Sequence, residues 1–109
     1  MSLGSTTDDE LLAIVENLRL NEREPLLCNK CGSEVNEGER IVVRVHYDAA
    51  DADWLVTGRF CEECAPSTIQ GPKPFLAEAI VEGSIGLSTV PLSGERYSIL
   101  RDPELIIRA

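Results

Sequence analysis

Cys28-Asn-Lys-Cys31 and Cys61-Glu-Glu-Cys64 contain all four cysteines of the 109-residue chain. Each Cys-x-x-Cys can wrap a tight turn that points both sulfurs at one ion. Four thiolates about 2.3 Å from a zinc ion complete a tetrahedron and leave no open coordination position. Cys28, Cys31, Cys61 and Cys64 are therefore the expected ligands of one structural zinc, with iron as the alternative, since thiolate tetrahedra accept both metals. His46, the only histidine, lies mid-strand and reads as an ordinary strand residue. Lys30, between the first two ligands, is placed either to soften the charge of the site or simply in solvent.

Little else in the chain promises catalysis. There is no nucleophile-elbow serine and no glycine-rich phosphate loop, and a single histidine supplies neither a triad nor a metal-water site. Asp48, Asp51 and Asp53 lack the glycine and distal glutamate of a calcium loop, so they read as a solvated turn. The expectation is a protein that is not an enzyme.

The two pairs are 29 residues apart, and the segment between them must fold so as to bring them together. Ile41 to Tyr47 and Trp54 to Phe60 are β-rich runs around a polar turn, a hairpin signature. Alternation puts Ile41, Val43, Val45 and Tyr47 on one face, and Trp54, Val56 and Phe60 on one face. Thr7 with Glu10 has capping-box spacing, and Leu11, Ile14, Val15 and Leu18 follow on one helical side. A helix over Asp8 to Leu20, packed on its own domain, is expected. Pro74 and Gly83 suggest a short helix from Pro74 to Glu82. Ile85 to Val90 and Arg96 to Leu100 suggest a second hairpin, and Asp102-Pro103-Glu104 a terminal helical turn.

The run CNKCG, a Gly38-Glu39 turn, a hairpin and FCEEC resembles zinc-ribbon and treble-clef proteins, particularly the small acidic ones of haloarchaea. The resemblance covers about residues 25 to 66. It implies a first pair on a knuckle before a hairpin and a second on a knuckle or at a helix start. Pro66 limits a helix that begins at Cys61, so ribbon and treble clef both stay open. Rubredoxins also hold a metal on two such knuckles, but Ala65 stands where they carry glycine. The expected fold is a small α+β domain of zinc-ribbon or treble-clef type, with β-hairpins and short flanking helices. It comprises residues 1–24 (helix), 25–70 (metal-binding hairpin module) and 71–109 (C-terminal extension of the same domain).

Charge narrows the partners. Nineteen acidic residues against ten basic give −9. Six acids against two bases lie in residues 1–24, eight against four in 25–70, and five against four in 71–109. Such a surface repels nucleic acid, leaving only a local patch of Arg40, Arg44 and Arg59 for a nucleic-acid-binding ribbon. Eight Arg and two Lys beside the acidic surplus suit a high-salt cytoplasm, where screening acts over a few ångströms. No apolar run is long enough to span a bilayer, and no signal-peptide pattern is present, so a cytoplasmic, membrane-free protein is expected. The favoured role is a protein-binding or regulatory adaptor, with a nucleic-acid-binding ribbon and a rubredoxin-like iron electron carrier as alternatives. The nearly neutral, aliphatic C-terminal region is the expected contact surface for a protein partner or a homodimer.

Overall fold

The computed structural model describes residues 7–22, 25–48, 50–66 and 78–108. It is an α+β fold in which one helix packs on one face of an antiparallel sheet. The elements are helix α1 (Asp8–Val15), strands β1 (Leu26–Leu27), β2 (Glu34–Val35), β3 (Arg40–Asp48) and β4 (Asp53–Cys61), a 3-10 turn (Glu62–Cys64), and strands β5 (Glu78–Thr89) and β6 (Arg96–Arg108). The main sheet has the order β4-β3-β5-β6, and β1 and β2 form a separate ribbon. No helix among the described residues is long and apolar enough to cross a membrane.

Helix α1 starts where the cap spacing places it: Thr7 Oγ1 accepts from the Glu10 amide at 3.2 Å, and three acids in the first turn suit the helix dipole. It ends five residues before the expected Leu20. Glu16 leaves helical geometry and Asn17 takes a φ of 65°, because the chain is captured by another strand. Asn17 donates to the Leu100 carbonyl, Leu100 to Leu18, and Leu20 to Ser98. Side chains complete this seam: Ser98 N–H donates to Asn21 Oδ1 at 2.7 Å, and Asp102 N–H to Glu16 Oε2 at 3.0 Å. The outer edge of β6 is thus closed by the segment that follows the helix.

The core lies between α1 and the facing side of the sheet. Leu11 and Val15 meet Ile41, Val43, Val45, Ala79, Val81 and Leu100, all without exposed surface. Ile14, expected on the buried stripe, is 46 % exposed, and Leu12 packs partly against the core instead. Trp54 is buried and stands edge-to-face on Tyr47 at 5.7 Å.

Both hairpins form at the expected places, with three corrections. In β4 the pairing slips by one residue between Arg44 and Val45, so that no β3 residue stands in register with Thr57. Beyond this bulge the alternation reverses. Phe60 pairs with Val42 rather than falling on the Trp54 and Val56 face, while Cys61 pairs with Ile41 on the core side. Residues 78 to 82 of the expected helix are strand, and 74–77 lie outside the described residues. Ala79, Ile80 and Val81 are all fully buried, and a strand covered on both faces loses the alternation that marks strands in sequence. Gly83 is not a helix cap but sits opposite a break in register, where a Cβ would meet the Arg101 carbonyl at 2.6 Å.

The third correction is Asp102-Pro103-Glu104, which opens no helical turn. β6 continues through it, and Glu82 and Ser84 pair with Glu104 and Arg101, leaving Asp102 and Pro103 as a bulge. Asp102 has φ 50°. A proline has no amide for the ladder and is accommodated in strands at such bulges and on edges.

Candidate metal centre

The first cysteine pair sits on the loop of the β1–β2 ribbon. Leu26 pairs with Val35 and Leu27 with Glu34, which brings Cys28 and Ser33 together: Cys28 N–H donates to the Ser33 carbonyl and Gly32 N–H to the Cys28 carbonyl, both at 2.9 Å. The loop needs a left-handed residue to close, and Gly32 supplies it at φ 75°. Inside the loop the Lys30 amide points at Cys28 Sγ, 3.4 Å away. Lys30 contributes through its backbone while its side chain is exposed.

The second pair comes from the end of β4. The Thr57 bulge turns Cys61 to the core side, and the 3-10 turn that follows carries Cys64 back beside it. Without the extra residue, alternation from Trp54 would aim Cys61 at the other face. Asn29 ties the two halves together. Its amide donates to the Arg59 carbonyl at 2.8 Å, and its side-chain oxygen accepts from the Arg59 amide at 2.8 Å. Asn29 thereby pins the knuckle to β4 two residues before Cys61. Nothing in its sequence context distinguishes it from a solvent-facing knuckle residue, and the pairing spans 30 positions.

All four sulfurs lie within 4.8 Å of one another, and Cys31 Sγ and Cys61 Sγ are 3.8 Å apart. Ligands 2.3 Å from one ion at tetrahedral vertices are separated by about 3.8 Å. The four cysteines could therefore hold a metal ion. Cys28 is buried at 2 % exposure, Cys61 and Cys64 are half-buried, and Cys31 faces solvent.

The surroundings prepare some sulfurs for ionisation and hold others back. Burial pushes the Cys28 thiol up, but the backbone N–H groups of Cys31, Cys61 and Lys30 favour its thiolate and bring it down to about 6. Ser33 lowers Cys31, its hydroxyl standing 3.2 Å from the sulfur. Cys64 is raised to about 12, first by its hydrogen bond with Cys61, then by burial and the remaining sulfurs. Four thiolates in one site repel one another unless a cation sits among them. A divalent ion held there would supply that cation and displace the remaining protons.

The other residues singled out from sequence are elsewhere. His46 pairs with Leu55 and Glu78 on the sheet face away from α1 and is not in the sulfur cluster. Asp48 and Asp53 accept from the amides of Ala50 and Trp54 in the hairpin turn. The three arginines of the suggested patch are engaged and split. Arg40 meets Glu82 at 3.4 Å. Arg44 bonds Thr57 and lies 5.9 Å over the Phe60 ring. Arg59 points to the core side and donates to the Leu20 carbonyl. Next to Cys31 and Cys61 opens a groove of about 510 Å³ lined by Glu34, Glu39, Glu62 and Glu63 together with Arg40, so acids outnumber the base on a surface that phosphates would meet.

No curated protein and no solved structure matches this chain. Residues 5–108 match a family described as a domain of unknown function. With the match running almost from end to end, the chain belongs to that family, DUF8112.

Proposed function

We propose that this protein is a non-enzymatic scaffold whose single zinc ion locks the β1–β2 knuckle to the β3–β4 hairpin, and which serves as a protein-binding or regulatory adaptor. The observation that carries the reading is the all-sulfur, four-membered cluster, its sulfurs all within 4.8 Å of one another and its Cys31–Cys61 edge 3.8 Å long. A closed tetrathiolate leaves no position for substrate or water, which is the pattern of structural rather than catalytic zinc. A knuckle, then a hairpin, then a second pair split between the end of β4 and a single 3-10 turn instead of on a hairpin of its own supports the treble-clef-like arrangement over the ribbon. The acidic surplus and scarcity of lysine support a high-salt cytoplasm as its setting.

The nucleic-acid reading has less support, because Arg59 lies on the opposite sheet face from Arg40 and Arg44 and all three are occupied internally. Between zinc and iron, the test is direct. Elemental analysis of protein purified from its native host should find one zinc per chain and a colourless solution. Structural zinc contributes on the order of 10 to 16 kcal/mol, comparable to the whole stability of a typical fold at roughly 5 to 15 kcal/mol. A strong chelator, or Cys61→Ser, should therefore abolish the native circular dichroism. A red preparation with thiolate-to-iron bands overturns zinc, and an unchanged spectrum after chelation overturns the structural role.

A further inference from the structure

Two edges of the main sheet are guarded in the usual ways, by bulges and by cover from the rest of the chain. The outer edge of β4 is bulged at Thr57 and held at Arg59 by Asn29. The outer edge of β6 is covered from Ser98 to Asp102 by residues 16–21 and bulged at Ile106 beyond them. A third edge is different. β5 pairs with β3 only as far as Ser84, after which Ile85 donates to Glu39 and accepts from Gly38. From Gly86 onward β5 and β6 continue as a two-stranded arm closed by the turn 90–95.

Period two turns the amides and carbonyls of Leu87 and Thr89 to the same side as those of Ile85. Val90 confirms the phase from the other end, since it donates to Glu95 across the arm. Among the described residues nothing bonds the outward groups of Leu87 and Thr89. This edge also lacks charge: the twelve residues from Gly83 to Gly94 contain no acid or base in a chain of net charge −9.

We propose that the open edge of β5, Gly86 to Val90, pairs antiparallel with the same edge of a second copy of the chain. With Ser88 on the two-fold axis, Leu87 stands opposite Thr89 of the partner subunit and Thr89 opposite the partner's Leu87. Both members of each pair turn their N–H and C=O outward, so each pair exchanges two hydrogen bonds. The open stretch has natural limits. Gly38 and Glu39 occupy the edge at Ile85, and Pro91 has no amide with which to extend the ladder. The two-fold sets the Ile85 residues of the two copies six positions apart along the strands, about 20 Å at ~3.3 Å per residue. That exceeds two Debye lengths at physiological ionic strength, so the acidic bodies are screened from each other while the neutral arms touch. The contact gives the adaptor reading its surface but uses no cysteine, so mass in solution and zinc content report on the two ideas separately.

Sedimentation of the full chain over a range of concentrations tests the contact. The mass should rise from 11.9 kDa toward twice that value. Ser88→Lys places two ammonium groups opposite each other across the axis, and Ser88→Glu two carboxylates. Each should weaken association about tenfold or more, and mixing the two variants should restore it. Thr89→Pro removes an amide that bonds nothing among the described residues, so it should abolish the dimer and keep the metal. A wild-type mass of 11.9 kDa at every concentration, undiminished association of both Ser88 variants, or a mixture that stays monomeric overturns the proposal. A dimer that persists in protein containing no zinc leaves this contact standing and removes the zinc scaffold instead.

Discussion

Asn29 gives the sharpest test of how the metal centre is built. Its side-chain oxygen accepts the Arg59 amide and its own amide donates to the Arg59 carbonyl, and Arg59 is two residues from Cys61. Asn29→Ala deletes the side-chain bond and keeps the backbone one. A typical internal hydrogen bond contributes about 0.5 to 1.5 kcal/mol. Asn29 is exposed, so water replaces part of the loss and the lower half of that range applies. If the bond serves to hold the knuckle against β4, that energy is taken from metal binding, and affinity should fall about two- to fivefold. Asn29→Asp keeps an acceptor but adds a negative charge beside the thiolates, so it should lie between wild type and alanine. The assay is competition for zinc against a chromophoric chelator at fixed pH, with Lys30→Ala as the control expected to bind like wild type. An Asn29→Ala protein that binds zinc as tightly as wild type refutes the pinning role. So does an equal loss in Lys30→Ala, which would show that any side-chain truncation in the knuckle loop weakens binding.

Two further outcomes follow from the same structure. Apparent zinc affinity should rise at least tenfold per pH unit between pH 6 and 9, because Cys64, held at about 12, must give up its proton throughout that window. Below about 6 Cys28 is protonated as well, so the loss on acidification should steepen by one more proton; a pH-independent affinity would contradict this. Gly83→Ala should lower the urea midpoint by an amount equivalent to about 1 to 3 kcal/mol, since its Cβ would meet the Arg101 carbonyl at 2.6 Å, a backbone atom inside a bulge. Gly58→Ala should cost less, because its close neighbour at 2.7 Å is the Phe60 ring, which can rotate away; equal losses would show that the backbone contact is not what matters.

Features whose physics is local are legible in the chain alone. Two Cys-x-x-Cys turns define a donor set by chemistry alone, Thr7 with Glu10 marks a helix start, and alternating β-branched residues on either side of polar turns mark two hairpins. Those elements are present where local pattern puts them. The remaining features depend on partners far away in the chain. Helix α1 stops at Val15 because Leu100 and Ser98 offer residues 17–20 a better set of hydrogen bonds than another helical turn does. Residues 78–82 are strand because Ala79, Ile80 and Val81 are buried on both faces between two neighbouring strands, overriding the end signals of Pro74 and Gly83. Asp102 and Pro103 become a bulge because Glu16 takes the Asp102 amide across 86 positions. The same holds at the metal centre. The four ligands are legible in the chain, but the bulge at Thr57 that turns Cys61 inward and the Asn29 clamp that holds it there exist only once β4 has paired with β3 and met the knuckle.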